Sequence, residues 1–108
     1  MAAGIASIDM QSMRRSATRA SALLKAMANP DRLLLLCQLT QGEQCVSELE
    51  ERVAVRQPTL SQQLGVLRNE GLVRTRREGK NVYYRIASRE ALALLRTLYA
   101  EFCPQGAG

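Results

Sequence analysis

Residues 46–73 read VSELEERVAVRQPTLSQQLGVLRNEGLV, two short helical patterns separated by a tight turn. The first pattern predicts a helix over residues 46–53, with Ser47 as its N-cap and Glu50 at the capping-box spacing. The second predicts a helix over residues 57–70, whose apolar ridge is Leu60, Leu64 and Leu67. A helix, a tight turn and a second helix form the arrangement that places one helix in the major groove of DNA.

The segments on either side predict three further helices. A leucine-rich helix is expected over residues 30–41, because proline favours the first position of a helix. Ser88 is placed to cap a last helix over residues 89–103. The first helix is expected over residues 9–28, with an apolar stripe formed by Met13, Ala17, Ala20, Leu24 and Met27.

Residues 72–77 and 82–86 alternate as two strands and predict a hairpin. The resulting order, α-α-α-α-β-β-α, indicates a mainly α fold with a small β-hairpin, a winged helix-turn-helix. We expect one such domain over residues 9–103, with a disordered N-terminus at residues 1–8 and a flexible tail at residues 104–108. A chain of 108 residues with few aromatic side chains gains stability by burying further surface in a homodimer.

The basic residues are concentrated in one segment. The chain has a net charge of +5, and residues 52–89 hold nine Lys or Arg against two acids, so the remainder is mildly acidic. A basic block on an acidic body is typical of a protein that binds the DNA backbone. Solubilising surface charge would give the same count, so charge alone does not separate the two interpretations.

We predict that the DNA-contacting side chains lie in two places. The start of the helix over residues 57–70 carries amide and hydroxyl side chains, which suit base edges and phosphates. The hairpin turn at residues 78–81 has a cationic tip that can reach the flanking backbone or an A·T-rich minor groove. The candidates are Gln57, Thr59, Ser61, Gln62, Gln63 and Arg68 on the helix, and Arg76, Arg77, Lys80 and Asn81 on the hairpin.

Other classes of function find little support in the sequence. The chain has no His, no glycine-rich phosphate loop and no nucleophile beside a base, so we expect neither an enzyme nor a cofactor. No apolar run approaches the ~20 residues of a membrane span, and residues 1–13 do not resemble a signal peptide. We therefore expect a cytoplasmic protein with no membrane partner. A winged domain that contacts only other proteins remains an alternative.

Four segments together resemble the ArsR (arsenical-resistance repressor) family. They read ANPDRL at residues 28–33, VSEL at 46–49, QPTLSQQLGVLRNEGLV at 57–73 and RREGKNVYYR at 76–85. The resemblance extends over about residues 14–103 without insertions. It implies a homodimer formed by the first and last helices. Such a dimer binds an inverted-repeat operator in double-stranded DNA and releases it on sensing a chemical signal.

Several sensors of that family bind metals, and their motifs are incomplete in this chain. The arsenic and cadmium sensors carry Cys-Val-Cys-Asp-Leu, where this chain has Cys45-Val46-Ser47-Glu48-Leu49, so the second thiolate is missing. The zinc and nickel sensors use His and acids on the last helix, and this chain has no His. We therefore expect no metal site, although a soft-metal site formed by three thiolates remains an alternative.

Two cysteines resemble those of the persulfide-responsive branch of the family, to which repressors of sulfide-oxidation genes belong. Cys37 lies in the leucine-rich helix and Cys103 ends the last helix. The resemblance implies that Cys37 and Cys103 form a disulfide or polysulfide bridge within one subunit in response to reactive sulfur species, and that DNA affinity then falls. The alternatives are a general oxidant sensor, thiols that only pack in the core, and an activator that displaces another DNA-binding protein. Cys45 lies outside this two-cysteine pattern, and its role stays open.

Overall fold

A computed structural model describes residues 9–103 of the chain. The predictions for residues 1–8 and 104–108 lie outside the described residues. The elements are α1 (Met10–Met27), α2 (Pro30–Leu39), β1 (Gln44–Cys45), α3 (Val46–Val53), α4 (Thr59–Asn69), β2 (Val73–Glu78), β3 (Asn81–Ile86) and α5 (Arg89–Phe102). The predicted mainly α fold, with the helix-turn-helix formed by α3 and α4 and followed by a hairpin, is confirmed.

Buried leucines from four helices, α2 to α5, form one core together with Val73 of β2. The leucine run of α2 supplies Leu35 and Leu36, which are fully buried, and the ridge of α4 packs beside it. Burying an aliphatic side chain contributes about 1.5–3 kcal/mol, so these residues dominate the folding energy. The largest fully buried side chains are Leu35, Leu36, Leu49, Leu60, Leu64, Leu67, Leu95 and Val73.

The N-terminus of α3 differs from the prediction. Its N-cap is Cys45, in an extended conformation, and not Ser47, which lies within the first turn. The Cys45 backbone N–H donates to Glu48 Oε1 at 2.9 Å, so Glu48 takes the part that the sequence assigned to Glu50. The predicted cap of α5 is present, since the Ser88 hydroxyl accepts from the Ala91 N–H at 3.0 Å.

The sheet has three strands, in the order β1-β3-β2, and all pairs are antiparallel. The sequence predicted only two strands, because β1 has two residues and is too short for an alternating pattern. Glu78 pairs with Asn81, so the hairpin turn holds only Gly79 and Lys80. Gly79 has a φ of 63°, which favours glycine in a tight turn.

Most of helix α1 is exposed in the single protomer. Within it only Ala26 and Met27 are buried, and Leu24 of the predicted apolar stripe is 54% exposed. Of the predicted apolar stripe, only Met27 is therefore buried within the single protomer. The Cα radius of gyration is 16.1 Å, against about 13 Å for a compact chain of this length. An extended helix with an uncovered apolar side is stable only if another surface packs against it.

Candidate nucleic-acid interface and thiol pair

Helix α4 buries one side and presents polar groups on the other. Leu60, Leu64 and Leu67 anchor it in the core, while Ser61 and Gln62 are exposed. Thr59 and Gln63 are half-buried on the flanks of the exposed side, and Arg68 is exposed near the end of the helix. The amide side chains predicted to read DNA thus lie outside the core, at the N-terminal end of a rigidly packed helix.

Gln57 has a structural task at the start of α4. Its Oε1 accepts a hydrogen bond from the Ser61 backbone N–H at 3.1 Å. The first amides of a helix lack intrahelical partners, so this contact satisfies one of them. The structure therefore places Gln57 as a brace for the helix N-terminus, beside the side chains predicted to contact bases.

Gln63 is held by an arginine that the sequence did not single out. Arg32 of α2 donates from Nη1 to Gln63 Oε1 at 2.8 Å. The same guanidinium donates from Nε to the carbonyl oxygen of Ala26, at the end of α1. No sequence spacing signals a contact between residues 32 and 63, because only the packing of α2 against α4 brings them together.

Two of the three predicted hairpin cations lie at or beside the tip. Arg77 and Lys80 are exposed and form no ion pair within residues 9–103, and Asn81 is exposed beside them. Their positive charges are therefore free to neutralise phosphates of the DNA backbone.

Arg76 differs from the other hairpin cations. Its guanidinium lies 2.7 Å from Glu43 Oε1 and 2.7 Å from Glu78 Oε1, and 4.6 Å from the centre of the Tyr83 ring. The hydrogen bond from Arg76 lowers the pKa of Glu43 below its ordinary value. Arg76 therefore connects the hairpin to the segment before β1 and does not project from the tip as the sequence predicted.

Cys37 and Cys103 are near enough for their charges to interact. Cys37 is exposed on α2, and Cys103 is the half-buried C-cap of α5. Partial burial raises the pKa of the Cys37 thiol, and the nearby Cys103 raises it further. Beside Cys37 lies a groove of about 400 Å³ between α2 and α5, whose lining includes Leu92, Arg96 and Tyr99. One thiol thus belongs to the leucine-rich helix and the other to the end of the last helix.

Cys45 is separate from this pair. It is buried at the junction of β1 and α3, and its Sγ lies 3.3 Å from Ser47 Oγ. Within residues 9–103, no group of three or more His, Cys, Asp or Glu side chains is placed to hold a metal ion. Nor does any helix in this part of the chain have the length and apolar character to cross a membrane.

The helix-turn-helix is anchored in the core, its second helix has an exposed polar side, and a cationic hairpin lies beside it. These features define a winged-helix, DNA-binding transcriptional regulator. Residues 29–75 match the family model described as bacterial regulatory protein, arsR family. The chain belongs to the ArsR family of regulators.

Comparison with known proteins extends this similarity to almost the whole chain. The biofilm growth-associated repressor of Agrobacterium fabrum is 52% identical over 99 residues, which cover 92% of this chain and 85% of the relative. The transcriptional activator HlyU of Vibrio cholerae is 42% identical over 98 residues, covering 91% of each chain. The crystal structure of the transcriptional repressor BigR from Xylella fastidiosa superposes with a TM-score of 0.83 at 45% identity, covering 91% of this chain and all of that one.

Proposed function

We propose that this protein is a homodimeric transcriptional repressor that binds an inverted-repeat operator and releases it when Cys37 and Cys103 of one protomer become linked through sulfur. The observation that carries the proposal is the placement of the two thiols. Cys37 of α2 lines the same groove as Tyr99 of α5, and the Tyr99 carbonyl oxygen accepts a hydrogen bond from the Cys103 N–H at 3.0 Å. The charges of the two thiols are near enough to interact. Two relatives at 45–52% identity are described as repressors, which supports repression as the mode of regulation.

The dimer is supported by apolar side chains that one protomer leaves uncovered. Phe102 at the end of α5 is 80% exposed, and Met10 and Leu24 on α1 are more than half exposed. Large apolar side chains grouped on two helices favour a second copy as the covering surface. In such a dimer the two α4 helices can enter successive major grooves, about 34–36 Å apart.

The sulfur chemistry needs a persulfide, RSSH, as the oxidant. One cysteine thiolate attacks its outer sulfur, which forms a protein persulfide, Cys–S–SH, and releases RS⁻. The second cysteine thiolate then attacks the cysteine-bound sulfur, which forms the Cys37–Cys103 disulfide and releases HS⁻. If both cysteines first become persulfides, the same closing step leaves a trisulfide. The open groove beside Cys37 has room for the additional sulfur atom.

The bridge would act on DNA binding through the two helices that it joins. It would tie α2, which packs against α4, to α5, which carries part of the proposed dimer surface. Because two half-sites must be engaged at once, a small rotation between protomers misaligns one of them.

The test uses a DNA duplex enriched by the protein itself from a pool with a randomised central region. The reduced dimer is treated with sodium tetrasulfide or with hydrogen peroxide, and DNA binding and intact mass are measured together. We expect tetrasulfide to lower the affinity and to add sulfur mass in the parent. Cys37→Ser and Cys103→Ser should abolish the response, whereas the matched control Cys45→Ser should keep it.

Other outcomes would select the alternatives. If the Cys37 and Cys103 variants respond like the parent, the thiol-bridge proposal is wrong. A response to peroxide alone indicates a general oxidant sensor, and loss of binding with arsenite indicates a soft-metal sensor. A reporter gene placed behind the enriched duplex separates a repressor from an activator. Binding that does not weaken with rising salt would favour a protein-interaction module.

A further inference from the structure

We propose that Arg32 is a specificity-determining residue for DNA: it fixes the side-chain amide of Gln63 so that Gln63 presents hydrogen-bond donors, and not its oxygen, to the base it faces. This inference rests on the proposed function, in which α4 enters the major groove. It concerns which bases are selected, and its test uses the reduced protein with both thiols unmodified.

The guanidinium of Arg32 is itself held on three sides. Nη1 donates to Gln63 Oε1 at 2.8 Å, Nε donates to the Ala26 carbonyl oxygen, and Nη2 donates to the Lys25 carbonyl oxygen at 3.4 Å. Arg32 and Gln63 are both half-buried, and no carboxylate within residues 9–103 pairs with this arginine. Because the last carbonyl groups of α1 hold the guanidinium in place, Arg32 directs one N–H group, that of Nη1, at Gln63 of α4.

The orientation of the Gln63 amide follows from the chemistry of arginine. A guanidinium has five N–H donors and no acceptor, so the amide atom that faces it must be the oxygen. The Gln63 NH₂ group therefore lies on the opposite side of the amide, away from Arg32. Gln62, the next residue, is exposed and has no such partner in the described part of the chain, so its amide can take either orientation.

This orientation restricts what Gln63 can read. A glutamine recognises adenine through two hydrogen bonds, in which its oxygen accepts from adenine N6 and its nitrogen donates to N7. With Oε1 directed at Arg32, Gln63 keeps only the donating half. It can then bond the acceptors of guanine, adenine or thymine in the major groove, but not the amino group of cytosine. The two-bond contact to adenine is then left to Gln62.

The test compares base preferences in place of a single affinity. The full-length reduced parent enriches duplexes from a pool with a randomised centre, and sequencing gives the preference at each position. The position facing Gln63 is identified as the one whose preference changes in Gln63→Met. We expect the parent to accept guanine, adenine or thymine there and to reject cytosine.

Arg32→Met frees the Gln63 amide to rotate. We expect the preference for adenine over guanine at that one position to rise about fivefold, and the preferences at the other positions to stay unchanged. Arg32→Lys retains a donor near Gln63 Oε1 and should restore part of the parent preference. The matched control is Arg52→Met, because Arg52 Nη1 donates to the amide oxygen of Gln44 at 3.0 Å, outside α4. It should keep the parent preference at every position.

The outcomes separate this inference from the proposed function. If the parent enriches no motif, the DNA-binding function is wrong and this inference with it. Thermal unfolding and circular dichroism show whether Arg32→Met is folded. If the parent enriches a motif and the folded variant has the same base preferences, the proposed role of Arg32 is wrong. Should Arg32→Met fail to fold, Gln63→Met decides: it leaves the Arg32 bonds to α1 intact, and an unchanged preference in this variant overturns the inference.

Discussion

Arg76 and Arg77 are adjacent in β2 but differ in their partners, so replacing each in turn tests which charges reach DNA. Arg77 is exposed without an ion pair in the described chain, whereas Arg76 is bound by Glu43 and Glu78. We expect Arg77→Ala to remove a phosphate contact and Arg76→Met to remove none.

The size of the effect follows from counterion release. Each phosphate contact contributes about −0.9 to the slope of log K against log salt concentration. A dimer loses one contact per protomer, so Arg77→Ala should reduce the magnitude of the slope by about 1.8. Between about 50 and 200 mM salt, a fourfold change, the parent should lose about tenfold more affinity than this variant does.

Fluorescence anisotropy with an enriched duplex at five or more salt concentrations measures this slope. Arg76→Met leaves the carboxylates of Glu43 and Glu78 without their partner. The variant used for comparison is therefore Arg76→Met combined with Glu78→Gln, which has the net charge of the parent. The reasoning is refuted if that double variant lowers the slope as much as Arg77→Ala does. It is also refuted if Arg77→Ala keeps the slope of the parent.

Three further predictions concern the thiol, the recognition helix and the core. Burial and Cys103 raise the pKa of Cys37, so little thiolate is present at neutral pH. The rate of bridge formation with tetrasulfide should therefore rise about tenfold per pH unit from pH 7 to 8. A rate that does not change with pH, measured by mass analysis of rapidly quenched samples, would contradict this. A Cβ at Gly65 would meet nothing within 4 Å inside the protomer, so Gly65→Ala should raise the free energy of unfolding by about 1 kcal/mol. The same variant should bind DNA less tightly, since Gly65 lies on the outer side of α4, and undiminished binding would show that no close DNA approach occurs there. Leu35 is fully buried, so Leu35→Ala should cost about 2–5 kcal/mol in urea unfolding, and a loss below 1 kcal/mol would mean that the core refills the space.

The elements with a long repeating pattern were predictable from the sequence. Helix α4 follows from leucines at three- and four-residue spacing, and α5 follows from Ser88 and the apolar stripe after it. The prediction failed where a local signal is absent. Strand β1 exists because Gln44 and Cys45 pair with Tyr84 and Tyr83 of β3, which is a tertiary contact that a two-residue segment cannot reveal.

The site was predictable as a set of residue types but not as a set of partners. Ser61, Gln62, Arg77 and Lys80 are exposed, as hydrophilic residues outside the apolar pattern are expected to be. The engagement of Arg76 by Glu43 depends on residues 33 positions apart. Long side chains carry no spacing rule outside a helix or strand, so neither this ion pair nor the contact between Arg32 and Gln63 could be read from the order of residues.

Helix α2 connects the two proposals physically. Cys37 and Arg32 are five residues apart on it, about 7.5 Å along the helix axis, and the fully buried Leu35 and Leu36 fix the helix between them. A bridge that shifts Cys37 would therefore move Arg32 as well, and with it the hydrogen bond to Gln63. One hydrogen bond to a charged group contributes about 1.5–3 kcal/mol, which is the size of a typical allosteric coupling. The fall in DNA affinity on bridge formation should accordingly shrink in Arg32→Met. If the reduced and bridged forms of that variant differ by the same factor as those of the parent, the coupling passes through α5 and the dimer surface and not through α2.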